Sequence, residues 1–474
     1  MINDAMSQRL RHVFDLQRAN RWRMAQTTAP ERIARLVRLR EAIWAQRDGI
    51  HQAIFEDYRK NALETDITEV FPILAEINHT VNHLRKWMKP VRTGAPLALF
   101  STKNEVRYEP RGLVLVLAPW NYPISLLINP LVAAISAGNC VIAKPSSKVP
   151  ATARFLAKFL GGIFQENEVA VFEGSTEVAE ALLELPFDHI FFTGSPRVGT
   201  RVMAAAAKHL ASVTLELGGK SPVIADHSAD PKKLAERVLW GKFINAGQTC
   251  MAPDYLLLHE SLLPRFLDEA RMILNRRYGD TEEARKVSAD YCRLVSESHL
   301  LGLRRVLDAS LAAGARLEIG GISDQVQRYL SPTILTGVSA DSPIMDEEIF
   351  GPILPVITFS SLDEAIGIVQ AKDKPLALYI FSSDTAAVER ILANTSAGGT
   401  CVNGVVVHVG NPDLPFGGIG KSGLGNYHGF FGFRSLSHER AVMRTGWLNT
   451  VRIGYPPYTT LAKKMVRFMM KHLS

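Results

Sequence analysis

The chain has 474 residues, of which 47% are hydrophobic and 21% are charged; this composition is typical of a globular protein with about two or three domains. Its four cysteines form no CxxC pair and so indicate neither a disulfide framework nor a metal site. The net charge of +7 comes mostly from a tail after Glu439 that has no acidic residue, which argues against a nucleic-acid-binding surface.

The N-terminal segment is charged, and no apolar run approaches the ~20 residues that span a bilayer. We therefore expect a cytoplasmic protein. Residues from about 6 to 89 carry apolar side chains at helical spacing and predict helices. Segment 89–110 is different, because Pro, Gly, Thr and Ser surround short extended pieces that predict a β-hairpin or arm.

Strands and helices alternate from residue 112 onward. Apolar runs such as GLVLVLAP, NCVIAKPS and HIFFTGS are each followed by a helical pattern, and the alternation starts again at VTLELGGKSPVIA. This pattern predicts an α/β fold of two doubly wound domains with parallel sheets and a small β oligomerisation arm. The predicted units are a first domain of residues 1–88 and 111–214, a second domain of 215–402, an arm of 89–110 and 403–445, and a basic tail of 446–474.

Two places in the first domain could bind a phosphate or a sugar. The turn from Gly194 through Ser195 to Gly199 joins a strand to a helix and could present backbone N–H groups to a pyrophosphate. It is not a GxGxxG motif, and a simple strand-to-helix connection is the alternative. Lys144 ends a buried strand at the carboxyl edge, where doubly wound sheets bind ligands; a solvated lysine is the alternative there.

Three further residues could carry chemistry. Glu216 lies in an apolar strand just before two glycines, where burial would suit a general base, unless backbone amides bind it instead. Asn121 lies between two prolines after a strand and could donate to an oxyanion or cap a turn. Cys250, in FINAGQTCMAPDYLLL, could be a nucleophile or a small buried hydrophobe.

Together these motifs resemble the aldehyde dehydrogenase superfamily over nearly the whole chain. The matching stretches are PWNYP (119–123), KPS (144–146), FTGSPRVG (192–199), LELGGKSP (215–222), GQTC (247–250), EEIFGP (347–352) and LPFGGIGKSGLGNYHG (414–429). The stretches GQTCMAPDYLL, KPLALYIFS, SGLGNYHG and YPPY resemble its class 3 branch, which includes fatty-aldehyde and coniferyl-aldehyde enzymes. The resemblance implies an NAD(P)-dependent aldehyde dehydrogenase whose first domain binds NAD or NADP and whose second domain is catalytic.

The resemblance also implies a role for each matching residue. Cys250 would attack the aldehyde carbon, the Asn121 side chain and the Cys250 backbone N–H would hold the oxyanion, and Glu216 would activate the water that hydrolyses the thioester. Gly247 would leave room for the nicotinamide. The residues implied to bind the cofactor are Lys144 and Ser147 near the adenosine ribose, Gly194, Ser195 and Gly199 near the pyrophosphate, and Trp120, Glu348 and Phe350 near the nicotinamide.

One departure from the family concerns the choice of cofactor. The family often has KPSE where this chain has KPSSKVP, so Ser147 replaces a glutamate that accepts from the ribose hydroxyls. A carboxylate would repel a 2′-phosphate, whereas serine would not. We therefore predict that NADP⁺ is accepted.

The tail segment LAKKMVRFMMKHL predicts an amphipathic helix, with Leu461, Met465 and Phe468 on one side and basic residues on the other. Three interpretations stay open: packing on the protein's own dimer, peripheral membrane contact with anionic lipid, and a cap over the substrate funnel as in fatty-aldehyde enzymes. The resemblance implies an aldehyde substrate and a homodimer. A membrane surface is an expected partner on the second interpretation of the tail, and nucleic acid is not expected.

The predicted substrate is a hydrophobic aldehyde, either medium- to long-chain aliphatic or aromatic, as the class 3 resemblance implies. Tyr122, Tyr58 and His408 are candidates for its pocket. The rival functions are an acylating enzyme that passes the acyl group to coenzyme A, a cysteine hydrolase without a cofactor, and a non-catalytic protein with the same fold. Glu216 argues against the first, the cofactor domain and Lys144 against the second, and the intact set of Asn121, Glu216 and Cys250 against the third.

Overall fold

We describe a computed structural model of the protein, covering residues 2–446, 452 and 454–472. The strands are β1 (Val91–Thr93), β2 (Lys103–Pro110), β3 (Leu113–Leu117), β4 (Cys140–Lys144), β5 (Val169–Val171), β6 (His189–Gly194), β7 (Ser212–Leu217), β8 (Pro222–Ala225), β9 (Tyr255–His259), β10 (Arg316–Ile319), β11 (Ser323–Asp324), β12 (Tyr329–Leu330), β13 (Thr333–Thr336), β14 (Ile353–Phe359), β15 (Ala377–Phe381), β16 (Gly399–Val402), β17 (Gly423–Leu424) and β18 (Ser437–Arg444).

The α-helices surround these strands. They are α1 (Asp4–Ala25), α2 (Ala29–Ala45), α3 (Arg47–Tyr58), α4 (Ala62–Thr65), α5 (Phe71–Trp87), α6 (Ser125–Ala137), α7 (Pro150–Gly161), α8 (Thr176–Leu183), α9 (Pro196–Ala207), α10 (Pro231–Phe243), α11 (Leu263–Tyr278), α12 (Glu282–Val287), α13 (Glu297–Ala312), α14 (Leu362–Gln370), α15 (Thr385–Asn394), α16 (Gly429–Ser435) and α17 (Thr460–His472). A π-helical turn, Asp66–Val70, joins α4 to α5.

The first sheet has the strand order β17-β7-β6-β3-β4-β5. Strands β3 to β7 run parallel, and only β17 is antiparallel to its neighbour. Each residue of β3 and β4 is buried, as the continuous apolar runs predict for a parallel sheet covered on both faces. Helix α6 is capped at its C-terminus by Gly138, whose left-handed conformation favours glycine.

The second sheet has the order β10-β13-β14-β9-β8-β15-β16 and is parallel except for β10. Its core strands β8, β9 and β15 lie at the centre of a large apolar cluster that also includes residues from the first sheet and from helices α2, α3, α5 and α6. The two predicted α/β sheets are therefore both present, and the predicted fold class is confirmed.

The third sheet is small, with the order β1-β2-β18. Strand β2 pairs antiparallel with β18 over its whole length, from Lys103 opposite Arg444 to Pro110 opposite Ser437. Segment 89–110 thus forms the predicted β arm, and its partner comes from the end of segment 403–445.

Two predicted boundaries require correction. The boundary between residues 214 and 215 lies within β7, which belongs entirely to the first sheet, so the chain passes to the second sheet only after Leu217. Segment 403–445 is not arm throughout, because β17 pairs with β7 in the first sheet. The reason is that a long glycine-rich connection can add a short antiparallel strand to a sheet edge without a strand-like sequence pattern.

The basic tail carries α17, which confirms the predicted helix, while residues 447–451, 453 and 473–474 of that predicted unit lie outside the described residues. Within the described part of the chain, no helix has the length and apolar character that crossing a bilayer requires.

Candidate active site

Cys250 follows a tightly kinked turn after α10. Asn245, Ala246 and Gly247 have φ values of 54°, 49° and 75°, so three consecutive residues adopt the left-handed conformation. A side chain at Gly247 would collide with the backbone of Gly351. This close approach to the chain therefore requires glycine at position 247, and room for a nicotinamide there stays a prediction.

Asn121 is only 3% exposed and ties two turns together. Its side-chain Nδ2 donates to the carbonyl of Gln248 at 3.1 Å, and the Nδ2 of Asn245 donates to the carbonyl of Asn121 at 3.0 Å. Gln248 in turn donates to the carbonyls of Asn245 and Arg293. Because one Asn121 Nδ2 hydrogen is used in the turn, the other stays available to an oxyanion next to Cys250.

Glu216 is 3% exposed and lies one residue before the end of β7. Neither carboxyl oxygen has a hydrogen-bond partner in the described structure. The alternative that backbone amides bind this carboxylate is therefore excluded. Burial raises the pKa of Glu216 well above its ordinary value, which suits a group that must accept a proton at neutral pH.

Cys250 is half-buried, and its surroundings favour the thiol. Burial, together with the negative charges of Glu348 and Glu216, raises the pKa of Cys250 to about 12. The sulfur is thus protonated at neutral pH, and its conversion to a nucleophile requires a nearby base. Glu216 and Glu348 are the carboxyl groups whose charges act on it.

A cleft of about 570 Å³ leads to Cys250 from the carboxyl ends of β3, β4, β6 and β7. Of the residues predicted to bind a cofactor, it is lined by Trp120, Lys144, Ser147, Gly194, Ser195, Glu348 and Phe350. The cleft also contains Asn121, Glu216 and Cys250. The structure therefore brings the predicted catalytic residues and all but one of the predicted cofactor-binding residues to a single cavity.

Gly199 is the exception. It is buried within α9, and a side chain there would collide with Leu217 of β7. Its function is to let helix α9 pack closely on the sheet, so the prediction that Gly199 lines the cofactor site is wrong. A glycine one turn into a helix faces the sheet in this arrangement, whereas the residues before it face the cleft.

Two features of the cleft suit a dinucleotide. Helix α9 has Ser195 at its N-cap, and the Ser195 side chain makes no capping hydrogen bond. Pro196 has no N–H and the Val198 N–H donates to the Ser195 carbonyl at 3.0 Å, which leaves the Arg197 N–H of the first turn available to an anion. Glu348 is half-buried, and burial raises its pKa to about 8. Because burial leaves this carboxyl group few water molecules to bond, it is well placed to hydrogen-bond the hydroxyls of a ribose.

His299 is a cleft residue that the sequence analysis missed. Its Nε2 hydrogen-bonds the carbonyl of Phe350 at 2.9 Å, and its ring meets that of Trp120 at 5.6 Å between centroids. Phe350 has a φ of 50°, so this bond holds a residue in a disfavoured backbone conformation. A single histidine at the start of a helix carries no sequence signal that would have revealed this contact.

A second cavity of about 320 Å³ also reaches Cys250, and we call it the funnel. Its wall is mostly apolar and comes from the π-helical turn, α5, α6, the end of α10 and residues 406–416. The apolar lining residues are Ile67, Phe71, Pro72, Leu126, Trp240, Ile244, Met251, Val406, Val407, Val409 and Phe416. Tyr122 lines the funnel as expected, but Tyr58 and His408 do not.

The aldehyde dehydrogenase family profile matches residues 2–442. The chain belongs to the aldehyde dehydrogenase family. The 4,4'-diaponeurosporen-aldehyde dehydrogenase of Staphylococcus aureus is 43% identical over 423 residues, which are 89% of this chain and 91% of that protein. Human aldehyde dehydrogenase family 3 member B1 is 41% identical over 99% of this chain and 98% of its own length.

Among solved structures, the substrate-bound state of Staphylococcus aureus AldH superposes with a TM-score of 0.92 at 40% identity, covering 97% of this chain and 99% of that one. The family name and the near-complete coverage confirm the predicted aldehyde dehydrogenase enzyme, and the human family 3 relative agrees with the predicted class 3 branch. Aldehyde oxidation to a carboxylic acid is the reaction of this family.

Proposed function

We propose that this aldehyde dehydrogenase oxidises hydrophobic aldehydes with NAD⁺ or NADP⁺ through a covalent intermediate on Cys250. The observation that carries the proposal is that, of the described residues, Cys250 alone lines both the cleft and the funnel. A sulfur reached from a polar cavity and from an apolar cavity suits a reaction in which cofactor and aldehyde enter separately.

The reaction begins with attack of the Cys250 sulfur on the aldehyde carbon. The S–H proton passes to a neighbouring carboxylate, a carbon–sulfur bond forms, and the carbonyl oxygen becomes an oxyanion. Asn121 Nδ2 and the Cys250 backbone N–H donate to that oxygen. The Asn121 amide is already oriented by its bond to Gln248, so little reorganisation is needed when charge develops.

The cleft residues fit a nicotinamide dinucleotide. The start of helix α9, with Ser195 and the Arg197 N–H, would receive the pyrophosphate. Lys144 at the end of β4 would bind the adenosine ribose, and Glu348 would bind the nicotinamide ribose. When bound, the cofactor supplies the hydride acceptor for the oxidation. Ser147 and Lys148 are exposed at the same edge, and neither would repel a 2′-phosphate, which supports use of NADP⁺.

Glu216 completes the reaction. Its carboxylate removes a proton from water, the water oxygen attacks the thioester carbon, and the carboxylic acid leaves as the Cys250 sulfur is released. Burial without a hydrogen-bond partner makes this carboxylate more basic than an exposed glutamate. Retention of such a base favours hydrolysis over acyl transfer to coenzyme A.

The experiment measures NAD(P)H formation with aldehydes from butanal to hexadecanal, together with benzaldehyde and coniferaldehyde. We expect kcat/KM to increase with apolar surface, because each buried methylene contributes about 0.8 kcal/mol in an apolar site. Coenzyme A in the assay should leave the rate unchanged. A preference for short polar aldehydes would contradict the proposed substrate class, and a requirement for coenzyme A would contradict hydrolysis.

We also propose a homodimer and peripheral membrane contact. The exposed strands β1 and β18 bound the small sheet and offer it for pairing. Leu461 and Met465 of α17 are 67% and 46% exposed beside Lys464, a pattern suited to an anionic lipid surface. Light scattering, which measures the mass of the protein in solution, tests the dimer.

Flotation with anionic vesicles compares the full chain with a chain that ends at Tyr458 and tests the helix. If both chains stay in the soluble fraction to the same extent, membrane contact is contradicted. The cytoplasmic location stays a prediction.

A further inference from the structure

A buried lysine lies behind the funnel wall and is not used by the proposed reaction. Lys60 is 1% exposed, and its ammonium has no hydrogen-bond acceptor in the described structure. Such a charge is costly to bury unless other groups compensate it. The ring of Tyr58 lies 5.6 Å from Nζ. The compensating groups that also reach the active-site turns are the ring of Tyr122, whose centroid lies 4.7 Å from Nζ, and the carboxylates of Glu64 and Glu69, on which the lysine charge acts.

Each compensating group holds a segment next to Cys250. Glu69 accepts from the backbone N–H of Ser125 at 2.7 Å, just after the turn that carries Asn121. Glu64 accepts from the backbone N–H of Asn245 at 2.8 Å, at the start of the kinked turn that leads to Cys250. The two carboxylates therefore hold the two turns from which the proposed oxyanion donors come.

Tyr122 makes the third connection. Its hydroxyl hydrogen-bonds the Thr249 hydroxyl at 2.5 Å, and Thr249 immediately precedes Cys250. The ring of Tyr122 thus lies on the ammonium of Lys60, while its hydroxyl holds Thr249. The Thr249 carbonyl and the Cys250 N–H belong to the same peptide bond. Glu69 lies within the π-helical turn Asp66–Val70, which follows the helix that carries Glu64, and such turns are frequent at functional sites.

We propose that Lys60, Glu64 and Glu69 form a positioning cluster that fixes the spacing between the Asn121 side chain and the Cys250 backbone N–H. The proposal rests on the function proposed above, because it assigns these two donors to the oxyanion. Lys60 touches neither cavity and acts through Tyr122 and the two carboxylates, so it is a positioning residue. Without the ammonium, the carboxylates of Glu64 and Glu69 and the ring of Tyr122 would lose the positive charge that acts on all three, and both turns would shift.

The test is a double-mutant cycle between Lys60→Met and Asn121→Ala. Methionine keeps the length and volume of lysine and removes the charge. In the parent enzyme, Lys60→Met should lower kcat on the order of 10- to 100-fold, because small displacements of reacting groups cost this much, while the Kd for NAD(P)⁺ stays unchanged. In the Asn121→Ala background the same change should cost less than about twofold, because the donor that Lys60 positions is already gone.

Lys372→Met is the control, since Lys372 is a half-buried lysine that lines neither cavity and, among the described residues, donates to the carbonyls of Ala340 and Met345, which also line neither cavity. It should leave kcat unchanged in both backgrounds. Equal losses from Lys60→Met in the two backgrounds would show a general structural effect and overturn the cluster. If Lys60→Met yields no folded protein, Glu64→Gln, which keeps an oxygen to accept from Asn245, enters the same cycle and decides by the same criterion.

The single variant Asn121→Ala separates this proposal from the one on which it rests. If Asn121→Ala lowers kcat strongly and the effect of Lys60→Met is the same in both backgrounds, the positioning cluster alone is contradicted. If Asn121→Ala has the same kcat as the parent enzyme, the role of Asn121 in holding the oxyanion is contradicted, and with it both proposals.

Discussion

The cleft and the funnel reach the same sulfur atom but are built from different parts of the fold. The cleft is formed where parallel strands of the first sheet end, and its wall carries charged and polar groups such as Lys144, Glu216 and Glu348. The funnel is formed by helices and by residues 406–416, and its wall is mostly apolar. The difference supports the proposal that a charged dinucleotide occupies the cleft and a hydrophobic aldehyde the funnel, since both cavities reach Cys250.

The largest effect should come from removing the atom that both cavities share. Cys250→Ala should reduce kcat on the order of 10⁴-fold or more, as loss of a covalent nucleophile does in other enzymes. The assay is NAD(P)H absorbance with an aldehyde. Cys401→Ala is the control, because Cys401 is also half-buried but lines neither cavity. Activity that survives in Cys250→Ala would refute covalent catalysis at this residue.

A smaller effect is expected on the cleft side, at the base. Glu216→Gln should lower steady-state kcat about 10²- to 10⁴-fold, yet leave one rapid turnover, because hydride loss precedes thioester hydrolysis. Stopped-flow absorbance should therefore show a burst of NAD(P)H equal to the enzyme concentration. Absence of the burst would mean that Glu216 is needed before the thioester forms.

The pH profile checks the same assignment. Burial raises the pKa of Cys250 to about 12 and raises that of Glu216 well above its ordinary value, and both groups act in their deprotonated forms. The kcat/KM of the parent enzyme should thus increase between about pH 6 and pH 9. A profile that is flat or falls over this range would contradict the raised pKa values.

Cofactor choice tests the adenosine end of the cleft. Ser147→Glu would place a carboxylate beside the 2′-phosphate of NADP⁺, and the like charges should lower kcat/KM with NADP⁺ at least about tenfold. The value with NAD⁺, measured in the same variant, is the control and should change little. An NAD⁺ preference of about a hundredfold in the parent enzyme would already contradict the expected use of NADP⁺.

The smallest effect should be found at the funnel. Phe71 lines it and is 69% exposed, so Phe71→Asp should raise KM for hexadecanal roughly five- to tenfold through lost apolar contact and leave KM for butanal nearly unchanged. Phe55→Asp, an exposed phenylalanine outside the funnel, is the matched control. A similar change for both aldehydes would show that the funnel does not bind the alkyl chain.

Much of the cleft could be predicted because its residues follow strands that the sequence pattern reveals. Lys144 and Asn121 follow apolar runs, and the carboxyl ends of parallel strands meet at one edge. Gly199 and Gly247 could not be interpreted in this way, since a glycine in a motif does not show whether a ligand or a neighbouring strand requires the space. The boundary near residue 214 was misplaced because β7 and β8 read as one apolar run.

The amino-acid sequence was enough to determine the alternation of strands and helices and the family, and to predict the nucleophile, because these depend on local patterns and ordered motifs. The funnel wall, the contact of His299 with Phe350 and the Lys60 cluster were decided only by the tertiary structure. They join segments up to several hundred positions apart, such as Ile67 and Phe416. A local sequence pattern does not predict which buried charges compensate each other, because the compensation depends on their distance in space rather than along the chain.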